Sequence, residues 1–392
     1  MSEEFERQPL ALESFAANLR THVGPQAPAP MKMMAARGMV PAPPDQLIRV
    51  FYQLHFDAAL AQAVTEALDG MPEAVLLPAL QAEQPAGVLD WVAELRESEA
   101  VAQAIALNKG TDDLTIVRLA QDASAEVCEI IANNQVRVLR TPAIIEALYT
   151  NTRARMATVD KLIDLARRND VDLSGLPGLQ EALRSGEALT SEGGLDDEAF
   201  AGVLQQEQTR RKSEEEMLSK LDDPNLTRSE RERMQRELMG EDEDEEEEVV
   251  EERRRKGSLY SQIAQMNLSQ KIRLASVGSK EAINILVRDS NKLVHQAAIR
   301  SPRLRPADIR QLASNKSIPE GVIKYIAMNR DWTRHYDVMV SLTMNPKTPL
   351  SDVMSFLNHL RTKDLRDLTR NRNVSHQVQR MAKSLVNKRG GR

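Results

Sequence analysis

Asparagine closes one short helix-patterned segment after another along this chain. In "NKSIPEGVIKYIAMN", Asn315 to Asn329, apolar residues at helical spacing lie between two asparagines, with Pro319 near the start. The corner recurs in "LTMNPKTPLSDVMSFL" at Asn345 and in "LTRNRNVSHQVQRMA" at Asn371, and Ser301 takes the asparagine position in "AIRSPRLRPADIRQLA". An earlier block repeats it around Asn108, Asn134 and Asn151, ending near Asn169. Asparagine tolerates the left-handed conformation that ends many helices, and its side chain can bond local backbone. Pro142, Pro306, Pro319 and Pro349 follow the corners and suit the first turn of a new helix, where the missing amide would be unpaired anyway. Thr141, Thr348 and Ser375 stand where N-caps belong. Each corner therefore reads as a helix stop followed by a helix start.

The spacing sets the size of the unit. Steps of 26, 17 and 18 residues lead from Asn108 to Asn169, and steps of 14, 16 and 26 from Asn315 to Asn371. Each stretch holds four helices when the longest step contains two. Helices of about ten residues are unstable alone and must stack to bury their faces. A hairpin of about thirty residues is the repeat length of helical solenoids. On these "L-A-x-N-x-x-[ITV]-P" corners the chain resembles the HEAT-like and leucine-rich-repeat-variant class of alpha solenoids, over 45–169 and 258–388. The resemblance implies adaptors whose curved surface holds another macromolecule. The expected fold class is all-α: two helical-repeat (alpha-solenoid) blocks joined by a flexible charged linker.

Composition shifts mark the boundaries. Residues 1–44 read as a mostly disordered segment ending in a linker, with prolines at 25, 28, 30, 41, 43 and 44. Residues 45–169 form an acidic block with no period-two run that would signal a strand. Residues 170–257 read as linker: a glycine- and serine-rich stretch, then "EQTRRKSEEEMLSKL" as an exposed charged helix with little to bury, then the acidic run "EDEDEEEE", Glu241 to Glu248. Residues 258–388 form a basic block, and 389–392 a tail. Net charge is −14 over residues 1–206, −7 over 207–256 and +15 over 257–392, so the overall −6 hides a strongly polarised chain.

Several chemistries lack their signatures. There is no glycine-rich phosphate loop after a strand, no paired cysteines or "HExxH" spacing and no nucleophile elbow. The histidines, His22, His55, His295, His335, His359 and His376, are scattered. No cofactor and no metal is expected. Cys128 is the one cysteine, which excludes a disulfide framework and reads as a buried structural thiol. The acidic start and the lack of a bilayer-length apolar run suit a cytoplasmic protein without a transmembrane segment. "NRDWTRHYDVM" gathers Asp331, Trp332, Arg334, His335 and Tyr336, as a HEAT-like DNA-acting enzyme would need. The plainer reading puts Trp332 and Tyr336, four apart, on one helical face filling a core.

The basic residues of the second block carry the binding expectation. Arg300, Arg303, Arg305 and Arg310 surround one corner, and Arg361, Lys363, Arg366, Arg370 and Arg372 another. Stacked repeats would align such corners into a strip that attracts phosphate backbones, anionic headgroups or an acidic protein. The expected function is a non-enzymatic scaffold or adaptor for protein partners, with nucleic-acid or anionic-surface binding through the basic block as the alternative. The tract Glu241 to Glu248 would then screen that block, a short tether holding it at about millimolar local concentration.

Overall fold

A computed structural model describes residues 5–185, 193–221 and 258–390. Among the described residues there are helices and no strand, and no helix is long and apolar enough to cross a membrane. The chain divides into two compact units, Met1–Leu173 and Ser174–Arg392.

The first unit runs through α1 (Ala17–Val23), α2 (Ala29–Ala36), α3 (Pro44–His55), α4 (Ala61–Asp69), α5 (Glu73–Gln81) and α6 (Ala86–Leu95). It continues with α7 (Glu99–Leu107), α8 (Asp113–Asp122), α9 (Ala125–Asn133), α10 (Gln135–Arg140), α11 (Ala143–Thr150) and α12 (Met156–Arg168). Packing skips along the chain: α3 lies on α5, α5 on α7 and α7 on α9, while α6 lies on α8 and α8 on α11. Apolar periodicity explains the pairing. In α12, Met156, Val159, Ile163 and Ala166 form one buried stripe. Asp112 and Ser124 start α8 and α9 by accepting from Leu114 N and Val127 N.

The proline-rich stretch 24–44, read above as a linker, carries α2. Pro30 falls in the first turn, where it removes no intrahelical bond, and the other prolines lie outside the helix. Ala35 and Ala36 are fully buried, and α2 rests on α3 and α4.

The second unit begins within the segment read as linker. Its helices are α13 (Pro177–Arg184), α14 (Asp197–Leu221), α15 (Leu268–Val277), α16 (Lys280–Leu286), α17 (Lys292–Ile299) and α18 (Pro306–Ser314). Then come α19 (Glu320–Met328), α20 (Arg330–Thr333), α21 (Tyr336–Met344), α22 (Leu350–Leu357), α23 (Thr362–Arg370) and α24 (His376–Gly390). Residues 258–265 are also helical. Gly178 lets α13 press onto α17: a Cβ there would sit 3.0 Å from Ala297 Cα. Phe200, Val203 and Leu204 of α14 are buried, and α14 packs on α15.

The charged half of α14 buries an acid that the sequence reading leaves in solvent. Glu207 is 1% exposed, and its carboxylate accepts from Ser279 N at 3.0 Å and from Arg210 Nη1 at 2.8 Å. One turn-pair later Glu214 accepts from Lys280 N at 3.5 Å. Two carboxylates thus face the start of α16, where unpaired amides and the helix dipole favour negative charge. Burial pushes the Glu214 carboxyl above the usual range, opposed by the Lys280 amide. The tract Glu241 to Glu248 lies outside the described residues.

The corner asparagines do not adopt the left-handed conformation expected of them. Asn108, Asn151, Asn315, Asn329, Asn345 and Asn371 have φ between −69° and −88° with ψ between 113° and 129°. The left-handed non-glycine position among the described residues is Asp170, φ 52°, after Asn169. Instead each of the six accepts on Oδ1 from the amide two residues on, at 2.8–3.0 Å. Asn134 accepts from Arg137 N and caps α10.

Three of these side chains also reach across to another corner. Asn108 Nδ2 donates to Leu80 O and Ala82 O, Asn151 Nδ2 to Ala120 O and Ala123 O, and Asn345 Nδ2 to Ala313 O and Asn315 O. These asparagines are 8%, 3% and 3% exposed, while Asn315, Asn329 and Asn371 are half-buried. Thr348 is not an N-cap: its hydroxyl donates back to Leu342 O at 2.6 Å, as Thr111 does to Ile105 O. Thr141 donates to Asp113, and Ser375 alone of the three caps a helix, accepting from Val378 N. Ser301 keeps the corner position but its buried hydroxyl has no partner, because serine is too short to make the bridge.

Asn345→Ala strands two carbonyls that had a buried donor and is expected to cost about 1–3 kcal/mol, whereas Asn371→Ala, losing a half-exposed turn bond, costs about 0.5–1 kcal/mol. Urea unfolding of the two variants side by side checks this, and equal losses would contradict the bridging role.

Glu214 generates a pH prediction. Its folded pKa is raised, so the native state binds its proton more tightly than the unfolded chain. Its contribution is full below the ordinary carboxylate pKa and is lost as pH rises through the folded value. Glu214→Gln should therefore remove a fall in stability with rising pH that begins near the ordinary carboxylate range. Parallel urea melts across that range measure the difference, and superimposable pH profiles for the two proteins would refute it.

Candidate interaction surface

Helices α23 and α24 make the most extensive helix pair of the second unit. Leu365 and Leu368 from α23, Val374 from the corner, and Val378 and Ala382 from α24 form their shared core. Burying these positions fixes the rotation of both helices and sends the cations outward. On α23, Lys363, Arg366 and Arg370 follow i, i+3, i+7 spacing and are exposed. On α24, Arg380 and Lys383 are exposed on one face. Arg361 and Arg372, at the two ends of α23, are exposed as well.

Between Arg361 and Gly390 the chain has nine Lys and Arg against two Asp, Asp364 and Asp367. Among the described residues none of Arg361, Lys363, Arg366, Arg370, Arg372, Arg380, Lys383 or Lys388 pairs with a carboxylate. Arg389 is tied down, donating to the Leu360 and Asn358 carbonyls. The sequence reading stops at Arg372 and misses Arg380, Lys383 and Lys388. Their signal is present in "QRMAKSLVNK", where cations fall on the face opposite the buried residues.

The other predicted basic corner is different. Arg300 lies 4.5 Å over the Tyr325 ring and 3.4 Å from Glu181 of α13. Arg303 is 3.8 Å from Glu215 of α14, and burial together with the nearby Arg211 guanidinium lowers its pKa. These two side chains hold α13 and α14 within their own unit. Arg305 and Arg310 remain exposed.

The aromatic and acidic cluster is also redistributed. Trp332 lies in α20 and Tyr336 opens α21, with the break between them, so they do not share one helical face. Tyr336 Oη donates to Asp364 and accepts from Arg361 N at 2.8 Å, and the Arg361 guanidinium sits 4.6 Å from its ring centre. Burial, and then the Asp364 hydrogen bond, push the Tyr336 hydroxyl above its usual pKa. Tyr336 therefore fixes the start of α23, the helix that carries the exposed cations.

Cys128 is fully buried, within 3.3 Å of Asn151 Nδ2. Comparison with protein-family models, with curated proteins and with solved structures finds no match.

Proposed function

We propose that this chain is a non-enzymatic scaffold of the alpha-solenoid kind, which docks an anionic macromolecular partner on the outward face of α23 and α24. The observation that carries the reading is the set of eight exposed cations without a carboxylate partner. Several cations elsewhere in the same unit are neutralised, Lys271 by Asp289 at 2.9 Å, Lys280 by Asp308 at 3.5 Å and Arg210 by Glu207 at 2.8 Å, whereas Arg305 and Arg310 are exposed like those of α23 and α24. Unpaired like charges on adjoining helices repel one another, and an anionic partner relieves that repulsion. Helix–helix packing that skips one or two elements along the chain, with bonded corners, supports the solenoid reading.

An acidic protein surface is the leading partner, in keeping with an adaptor. A nucleic-acid backbone is the second reading, favoured by the three-cation row on α23, which suits regularly spaced phosphates. In this account the protein is cytoplasmic, and Glu241 to Glu248 compete for the cationic face.

Fluorescence anisotropy of the full chain, with generic duplex DNA, RNA and an acidic polypeptide over a salt series, tests the proposal. Binding should weaken steeply with salt, with a slope of about −0.9 per phosphate contact for duplex DNA. The triple variant Lys363→Glu, Arg366→Glu, Arg370→Glu should bind at least tenfold more weakly, and deleting residues 241–248 should strengthen binding at low salt. A triple variant that binds every probe as well as the wild type would dispose of the face as a docking site.

A further inference from the structure

The first unit holds its own residues 5–11 as if they were a bound peptide. They run without helix or strand over α3 and α6, Ala11 being extended, before a short 3-10 turn, Leu12–Ser14. Arg7 reaches Asp90, with Nε 2.6 Å from Oδ2, and also pairs with Glu94. The Gln8 carbonyl accepts from Tyr52 Oη at 2.9 Å, and the Leu10 amide donates to Gln53 Oε1 at 2.8 Å. One side chain thus supplies a charge anchor, and two backbone groups supply register. That division of labour is how grooves recognise extended peptides.

The receiving groups are held by the body of the unit independently of the strap. Asp90 is 3% exposed, and its Oδ1 is fixed by Thr115 Oγ1 at 2.8 Å and Arg118 Nη2 at 2.7 Å, leaving Oδ2 for Arg7. The Tyr52 ring stands edge-on to Trp91 and Phe56. Its hydroxyl has room only because residue 87 is glycine: a Cβ there would lie 2.3 Å from Tyr52 Oη. With Arg7 withdrawn, Asp90 keeps two partners, so release of the strap does not strand a buried charge.

The strap does not fill the groove. A cleft of about 630 Å³ continues beside Leu10 and Leu12, bounded by Val23, Leu54 and Phe56, with Lys32 and Asp57 paired at 3.8 Å on its rim. Leu10 and Leu12 are only half-buried, and Phe56 is exposed.

We propose that this groove is a peptide-docking site, which residues 5–12 occupy in the absence of a partner, and that its ligand is an extended protein segment with an arginine three residues ahead of a leucine. The site stands apart from the cationic face and does not rest on its reading. Tethering gives the strap an effective concentration of about millimolar, so a foreign segment must out-compete it.

The probe is a fluorescent peptide of residues 5–14, "FERQPLALES", titrated into three full-chain proteins: wild type, a deletion of residues 2–11, and Arg7→Ala. Phe15 and Leu19, buried anchors that follow the strap, are retained in all three. The peptide should bind the deletion and Arg7→Ala proteins at least tenfold more tightly than the wild type. The same peptide with its arginine replaced by alanine should bind at least tenfold more weakly. Should the deletion protein fail to fold, Arg7→Ala alone decides the matter. No gain in binding by the folded variants, or equal binding of the two peptides, would overturn the proposal and make the strap a permanent part of the core.

Discussion

The bond from a corner asparagine to the carbonyls of another corner is the interaction on which both units depend. A helix of nine residues leaves nearly half its backbone carbonyls without an intrahelical donor. Where such an end is buried, something must supply that donor. Asn108, Asn151 and Asn345 do so with Nδ2 while Oδ1 shapes their own turn. One amide side chain satisfies two corners at once, and neither aspartate nor serine has the donor and the reach together. Ser301 shows the alternative, a corner that keeps its place in the stack with a buried hydroxyl left over.

Charge is arranged by a second rule: the acids taken inside are paired, while the cations of α23 and α24 are left outside. Glu207 is buried against the start of α16, and Asp90 is buried among Arg7, Thr115 and Arg118. In each case a low-dielectric site is made tolerable by complete pairing, which fixes geometry more than it adds stability. The cations of α23 and α24 receive no such treatment. Their surplus is not a consequence of the fold, because Leu365, Leu368 and Val378 would orient the helices equally well with neutral residues outside.

The sequence shows where the helices turn but not what the turning residues do. Asparagine and proline mark the corners because backbone geometry restricts which residues can stand there, so positions such as Asn345 and Pro306 are legible. The second function of Asn345 depends on carbonyls 30 and 32 residues away, a relation that no local pattern encodes. Helix α2 is hidden by prolines that bound it, and the burial of α14, though not its helix, by charges that look solvated until Ser279 and Arg210 are brought beside Glu207. The basic surface was half legible: Lys363, Arg366 and Arg370 are outward as their spacing requires. Arg300 and Arg303 turn inward because α13 and α14, read as linker, bring acids to them. The strap was invisible, since residues 5–11 have no periodicity and are placed by hydrogen bonds to α3 and α6.

The reach of the corner bonds has a kinetic consequence. Each spans 26 to 32 residues of chain, one hairpin and no more. Closing a loop of that length costs little more entropy than closing a shorter one, so contacts of this reach form early. By the same logic, opening starts where a bridge is missing. In the second unit the corners at Ser301, Asn315, Asn329 and Asn371 lack the bridge, and these are the places at which it would begin to come apart under load.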